Sequence, residues 1–145
     1  MTALGLVLAA VVLVIALIHA YWAMGGVWPA SSPQSLARAV VGERGITKMP
    51  LPAASFAVAA ILAGISYLAV ILAGVAPSPV SPSLTRMVAS AVAFVFLARG
   101  IASYTSVMCR FFPEEPFATL DRRYYAPLCL MLGIAFVVLL LKGTA

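Results

Sequence analysis

Four apolar stretches, each close to the length that crosses a lipid bilayer, constrain this chain more than any other feature. They cover residues 2–24, 53–75, 85–108 and 124–141. A transmembrane helix needs about 20 mostly apolar residues, and inside the hydrocarbon only helices and closed barrels satisfy every backbone hydrogen bond. The sequence therefore predicts an all-α integral membrane protein, a single domain over residues 1–145 that folds as an up-down four-helix bundle.

Glycines and prolines separate the four stretches. Gly25, Gly26 and Pro29 follow the first, "PSPVSPS" (77–83) divides the second from the third, and Pro113 follows the third. Proline cannot continue a helix because it lacks a backbone N–H and clashes with the preceding turn. The first stretch is longer than the apolar core of a signal peptide and follows no Lys or Arg, so we expect it to be retained as a span.

Composition excludes a soluble globular domain. Hydrophobic residues make up 64% of the 145 residues and charged residues 9%, against about 45–50% and about 25% in soluble domains. The net charge of +5 does not indicate nucleic-acid binding, because the basic residues flank apolar segments. Cys109 and Cys129 match neither a disulfide framework nor a metal motif, so no metal site is expected.

The distribution of basic residues predicts the orientation. The first and third loops together carry six basic residues: Arg38, Arg44, Lys48, Arg110, Arg122 and Arg123. The opposite side carries Arg86 and Lys142. The positive-inside rule then places loops one and three in the cytoplasm and both termini outside it.

The first loop is long enough to contain structure of its own. Ser32 is a candidate N-cap, with Pro33 at the first helical position. Leu36, Val40 and Val41 would then share one face. This pattern allows either a short interfacial helix or an irregular loop.

Small residues at helical spacing indicate where spans pack, because they let backbones approach closely in lipid. In the second span Ala57, Ala60 and Gly64 fall on one side. In the third span Ala89 and Ala93 are four residues apart. We expect both sets to face neighbouring helices.

Arg99 is the most unusual residue, because it lies inside the third apolar stretch. It is about nine residues, or ~13 Å, from the predicted end of that span. Ser103, Ser106 and Arg110 follow it at steps of four, three and four, on one predicted helix face. An ionisable group in a span is by default a functional or pairing hypothesis, and an unpaired one would cost several kcal/mol.

The candidate partners of Arg99 are few. The chain has four acids, which are Glu43, Glu114, Glu115 and Asp121. Asp121 directly precedes the fourth span, whereas Glu114 and Glu115, between two prolines, resemble a solvated turn. If no acid reaches Arg99, its guanidinium must be hydrogen-bonded by tyrosine hydroxyls, backbone carbonyls or an anionic ligand. Arg99 therefore either locks the bundle or binds something negative.

Other polar residues gather at the same predicted end. The candidate ligand or pairing site consists of His19, Trp22, Arg99, Ser103, Tyr104, Asp121 and Tyr125. Trp22 and Tyr125 are also typical of the aromatic belt at a membrane boundary. His19 alone is more typical of a hydrogen-bonded interfacial residue than of a metal ligand.

Three motifs add a resemblance to this interpretation. "HAYWAMGG" (19–26), "RGIASY" (99–104) and "PFATLDRRYYAPLCLMLG" (116–133) are similar to those of a bacterial family of small four-span membrane proteins, domain of unknown function 3995. The resemblance covers most of the chain and implies a multi-pass protein of the bacterial inner membrane. It departs at Ala126, where the family has serine, and at Thr105 and Ser106, where Val-Gly is expected. The family label implies a membrane bundle and assigns no reaction or cofactor.

The residues leave three functional hypotheses. The first is a binding or accessory protein, in the lipid bilayer or in a larger membrane complex, whose polar cytoplasmic mouth holds an anionic lipid headgroup, a small amphipathic ligand or a partner helix. The alternative is a small membrane enzyme with His19 as acid or base and Arg99 as anion clamp. A transporter ranks last, because no inverted repeats or broken helices are visible. Neither paired acids nor a nucleophile appears within the spans, so binding is favoured; the cofactor and the ligand stay undetermined.

Overall fold

The computed structural model of the protein describes residues 1–142. In that range helices joined by loops form the fold, and no strand is present. The elements are α1 (Thr2–Ala23), α2 (Pro33–Val40), α3 (Pro52–Leu72), α4 (Pro82–Ala102), α5 (Ser106–Phe111), α6 (Phe117–Leu120), a π-helical turn (Asp121–Tyr125) and α7 (Ala126–Lys142). The predicted all-α fold class, a four-helix membrane bundle, is confirmed.

Four helical segments are long and apolar enough to cross a membrane. They are α1, α3, α4 and the continuous run Phe117–Lys142, in which α6, the π-helical turn and α7 follow without a break. Large apolar side chains point outward from them; Val7 is 62% exposed, Ile61 63% and Phe94 71%. Such surfaces are costly in water and favourable against lipid tails, so the chain is a multi-pass membrane protein.

The bundle consists of two closely packed helix pairs. α1 packs along α3 and α4 along α7, and the two pairs meet where α7 touches α1 and α3 and where α3 touches α4. Val12, Phe136 and Leu139 are fully buried in the shared core. Between α1 and α3 the buried hydroxyl of Ser66 donates a hydrogen bond of 2.8 Å to the carbonyl oxygen of Ala9.

Two glycines bring α4 and α7 into backbone contact. A Cβ atom on Gly100 would lie 3.0 Å from the carbonyl oxygen of Ala126 and 2.6 Å from Cγ of Leu130. A Cβ atom on Gly133 would lie 2.7 Å from Cγ of Leu97. The helices can approach this closely only without those side chains, and the approach at Gly100 brings the neighbouring Arg99 to the start of α7.

Of the two alternatives for the first loop, the short helix is present, as α2 (Pro33–Val40). The Ser32 hydroxyl accepts from the Ser35 backbone N–H at 3.2 Å, and the Ser35 hydroxyl accepts from the Ser32 N–H at 3.0 Å. This reciprocal capping stabilises the first turn, and Pro33 occupies its usual first position. Leu36 is completely buried, whereas Arg38 is exposed.

The third span ends earlier than the sequence predicts. α4 stops at Ala102, and the predicted end is residue 108. The hydroxyls beyond it compete with the helical ladder: Ser103 donates to the carbonyl oxygen of Arg99 at 3.1 Å and Thr105 to that of Ala102 at 2.7 Å. The separate helix α5 then begins at Ser106. Arg99 and Ser103 therefore do not share one continuous helix face with Ser106 and Arg110.

Of the two small-residue stripes, only one faces a neighbour. Ala89 and Ala93 are buried, 0% and 3% exposed, as predicted. The expectation for Ala57, Ala60 and Gly64 is wrong: all three are exposed, and a Cβ atom on Gly64 would meet nothing within 4 Å. α3 instead turns Ser66 and its neighbours Leu68 and Ala69 inward, because the Ser66 hydroxyl needs a partner inside the bundle.

Candidate functional site

Arg99 is paired with Asp121. Its Nη2 atom lies 2.6 Å from the Oδ1 atom of Asp121, and its Nη1 atom donates to the Ser103 hydroxyl. The Ser103 hydroxyl in turn donates to the Arg99 carbonyl oxygen. This cluster, Arg99, Ser103 and Asp121, joins the end of α4 to the beginning of the last span.

Arg99 is shallower in its span than the sequence predicts. It lies in the last turn of α4, three residues before Ala102, or about 4.5 Å at 1.5 Å per residue. The expected depth of ~13 Å assumed a helix that continued to residue 108. Its side chain retains 35% of its surface exposed, so the guanidinium can reach the boundary while its stem stays among apolar groups.

Asp121 is the more deeply buried partner of the pair and therefore depends more strongly on the opposite charge. Its side chain is 3% exposed, and a carboxylate buried that far from water needs a compensating charge. Ser103 is 1% exposed, and the cavity beside Ser103 and Asp121 measures about 10 Å³. This is at most the room for one water molecule, so the Asp121 side of the ion pair is closely packed, while the Arg99 side chain keeps part of its surface exposed.

The π-helical turn sets the direction of both Asp121 and Tyr125. The N–H of Ala126 bonds to the carbonyl oxygen of Asp121, five residues earlier, which widens the helix by one residue. Asp121 faces α4, and the Tyr125 hydroxyl donates to the carbonyl oxygen of Ala39 at 3.1 Å. The turn thereby ties the last span to both α4 and α2.

Phe117 is the apolar centre of this end. It is 4% exposed and contacts the rings of Phe112 and Tyr125 at centroid distances of 6.1 and 6.0 Å. Gly42, at φ +71, lies under the Phe117 ring, where a Cβ atom would approach ring atoms to 2.1 Å. Glycine is required here by both its backbone angle and the contact.

Glu114 joins the first and third loops. Its Oε1 atom accepts from the backbone N–H of Gly45 at 3.0 Å, and its Oε2 atom lies 3.6 Å from Nε of Arg38. The Glu114 N–H also donates to the carbonyl oxygen of Gly42. The expectation of a solvated turn missed this role of Glu114. The glycines of the first loop, Gly42 and Gly45, were the available signal, because glycine favours tight turns whose backbone N–H groups are open to an acceptor.

The other predicted site residues, Trp22, Tyr104 and His19, form hydrogen bonds to backbone carbonyl oxygens outside the Arg99 cluster. Trp22 donates from Nε1 to the Trp28 carbonyl oxygen at 2.8 Å, and the Tyr104 hydroxyl donates to that of Arg122 at 3.0 Å. His19 bonds through Nδ1 to the Ile15 carbonyl oxygen at 2.8 Å and lies against the Trp22 ring. Its hydrogen bond and ring contact stay within α1, so the structure does not join His19 to the Arg99 cluster.

An open crevice of about 520 Å³ lies next to this closed cluster. We call it the basic crevice; it is lined by Cys109, Pro113, Glu115, Ala118, Thr119, Arg122 and Arg123. The Arg122 guanidinium donates to the Cys109 sulfur, and the Arg123 guanidinium carbon lies 5.5 Å from the centroid of the Tyr124 ring. Within residues 1–142, neither arginine forms an ion pair with a carboxylate, so both charges are available to a ligand.

The structure offers no site for a metal in the part of the chain that it describes. Across residues 1–142 no three His, Cys, Asp or Glu side chains are placed to hold a metal ion. The basic crevice itself offers two guanidinium groups and one carboxylate, Glu115, for the recognition of charged groups.

Comparison with known proteins gives one match. The sequence model of a protein family described as "Protein of unknown function (DUF3995)" matches residues 2–136. No curated protein and no solved structure matches the chain.

Proposed function

Because the chain belongs to the DUF3995 family of proteins of unknown function, its activity must be inferred from its own residues, and we propose that it is a non-catalytic membrane protein that binds lipid headgroups through their anionic phosphate. The single observation that carries this proposal is the basic crevice, whose two guanidinium groups have no carboxylate partner among the described residues. Guanidinium groups bind phosphate oxygens through paired hydrogen bonds.

The proposal assigns different roles to the arginines. The charge of Arg99 is compensated by Asp121 at 2.6 Å, and the cavity beside Asp121 has room for one water at most. Arg122 and Arg123 border about 520 Å³ of open space, which lies within the usual size range of ligand sites. We therefore assign Arg99 to stability and the basic crevice to binding.

The contacts favour binding over the enzyme alternative. That alternative needs His19 as acid or base beside Arg99 as anion clamp. His19 is engaged with Ile15 and Trp22 in α1, and Arg99 with Ser103 and Asp121. A general acid or base must come within hydrogen-bond reach of the group it serves, and no contact of His19 supports that arrangement.

We further propose that the basic crevice faces the cytoplasm of a bacterial cell, at the inner membrane. Loops one and three carry most of the basic residues, and Glu114 joins them at one end of the bundle. The positive-inside rule assigns such an end to the cytoplasm. Both termini would then lie outside the cytoplasm.

Native mass spectrometry of the purified protein tests the binding. The protein is titrated with phosphatidylglycerol and, separately, with diacylglycerol that carries the same acyl chains but no phosphate. We expect several-fold greater retention of the phospholipid, and we expect high salt to weaken it, because exposed charges are screened.

Matched variants locate the binding. Arg122→Gln/Arg123→Gln should remove most of the preference, whereas Arg86→Gln/Lys142→Gln, which removes the same charge at the opposite end, should leave it. Equal retention of the two lipids by the wild-type protein, or an equal loss in both double variants, would contradict the proposal.

A further inference from the structure

The basic crevice carries charges of both signs. Arg122 and Arg123 line it together with Glu115. A simple anion site would gain nothing from a carboxylate in its wall, because like charges repel. A headgroup that carries a positive charge as well as a phosphate would be attracted by both the arginines and the Glu115 carboxylate.

We propose that the basic crevice selects phospholipid headgroups that combine a phosphate with a primary ammonium group, an inference that rests on the proposed function. Arg122 and Arg123 would hold the phosphate, and Glu115 would accept hydrogen bonds from the ammonium group. The membrane ligand is thus of the phosphatidylethanolamine type.

Both guanidinium groups already contact a neighbouring side chain. Arg122 contacts the Cys109 sulfur, and its carbonyl oxygen accepts from the Tyr104 hydroxyl at 3.0 Å. Arg123 lies over the ring of Tyr124. A preformed arrangement reduces the side-chain entropy that binding must overcome.

The Glu115 carboxylate is also held in place, and it has acceptor capacity left. It accepts from the Thr119 backbone N–H at 3.3 Å and from the Thr119 hydroxyl at 3.1 Å. A carboxylate offers about four lone-pair positions, and a primary ammonium group carries three donors. A quaternary ammonium headgroup has no N–H to donate, so the carboxylate distinguishes the two chemically.

The level of the crevice favours a lipid over a soluble metabolite. The last span, Phe117–Lys142, has 26 residues and is about 39 Å long at 1.5 Å per residue. The hydrocarbon layer is about 30 Å thick, so about 9 Å of the helix lies outside it. Because charged side chains avoid the hydrocarbon, we place this excess at the end with Arg122 and Arg123, in the headgroup region. At this level the crevice can bind the phosphate of a lipid whose acyl chains stay in the bilayer.

Native mass spectrometry tests the selectivity with phospholipids of identical acyl chains: phosphatidylethanolamine, its mono- and dimethyl derivatives, phosphatidylcholine and phosphatidylglycerol. We expect the wild-type protein to retain phosphatidylethanolamine several-fold better than phosphatidylcholine, with retention falling at each added N-methyl group. Glu115→Gln should abolish that preference and raise the retention of phosphatidylglycerol, because the amide loses the negative charge. Glu43→Gln, at an exposed acid of the first loop, is the matched control and should change neither.

The outcomes separate this inference from the proposed function. If phospholipids are retained no better than diacylglycerol, the proposed function fails. If they are retained better, but the wild-type protein does not distinguish the N-methylated series, this inference alone is overturned, and that result needs no variant to fold. Soluble phosphoethanolamine at millimolar concentration should not displace the lipid; displacement would contradict a membrane ligand.

Discussion

The two helix pairs of this bundle are held together in different ways. α1 and α3 associate through apolar side chains, the close approach of Gly5 to Ala73, and one buried hydrogen bond from Ser66. α4 and α7 approach at Gly100 and Gly133, and the Arg99–Asp121 ion pair closes the end of their contact. Lipid tails provide no hydrophobic driving force between helices, so each pair depends on close backbone packing plus polar contacts.

The difference indicates which pair is more sensitive to substitution. Loss of the Ser66 hydroxyl leaves a carbonyl oxygen that its own helix already satisfies in part. Loss of the Arg99 guanidinium leaves a carboxylate that is 3% exposed without its charge partner. The α4–α7 pair should therefore respond more strongly to a single polar change, and three substitutions of decreasing effect test this.

The largest effect is expected from Arg99→Leu. Removing one partner of a buried ion pair costs about 3–5 kcal/mol, and we expect about 3 kcal/mol, the lower end, because Arg99 itself is partly exposed. Unfolding in mixed detergent micelles measures the loss. Arg86→Leu is the control, because this exposed arginine of the same helix donates to the Leu140 carbonyl oxygen at 3.4 Å but forms no ion pair among the described residues. Equal losses in the two variants would remove the distinction between the pairs.

A smaller loss is expected from Gly100→Ala. The new methyl group would lie 3.0 Å from the Ala126 carbonyl oxygen, and backbone cannot yield as a flexible side chain does. Overpacking of this kind costs about 1–3 kcal/mol. Gly64→Ala provides the matched control, because nothing lies within 4 Å of its added Cβ. Thermal denaturation should separate the two variants, and similar melting temperatures would contradict the close approach.

The smallest of the three effects is expected from Ser66→Ala. Hydrogen bonds between transmembrane helices average about 0.6 kcal/mol, and we expect a loss of that order in the same unfolding assay. Ser90→Ala serves as control, since the Ser90 hydroxyl bonds only within its own helix, to the Arg86 carbonyl oxygen. A loss as large as that of Arg99→Leu would reverse the proposed ranking of the pairs.

Features governed by local chemistry could be predicted from the sequence. The proline-rich breaks predicted four apolar helices, and Ser32 followed by Pro33 marked the start of α2 as one of two alternatives for the first loop. Asp121 was a named candidate for Arg99 because the chain has only four acids and Asp121 directly precedes the last span. The seven-residue ligand or pairing site stays a prediction, and none of its residues lines the basic crevice.

Features set by competition or by tertiary contacts could not be predicted. The end of α4 depends on the hydroxyls of Ser103 and Thr105, which donate to backbone carbonyl oxygens of the preceding turn. A prediction from the number of consecutive apolar residues does not include these hydrogen bonds. The outward direction of Gly64 depends on where Ser66 finds its acceptor in α1. Glu114 acquires its role only when the first loop folds beside it.

A double-mutant cycle on Arg99 and Asp121 tests the central claim, that Arg99 locks the bundle. The free energy of unfolding is measured for the wild-type protein, Arg99→Leu, Asp121→Asn and the double variant. If the 2.6 Å contact holds α4 to the last span, the double variant should lose less than the sum of the single losses, by about 1–3 kcal/mol. Additive losses would contradict a lock and return Arg99 to the residues available for an anionic ligand.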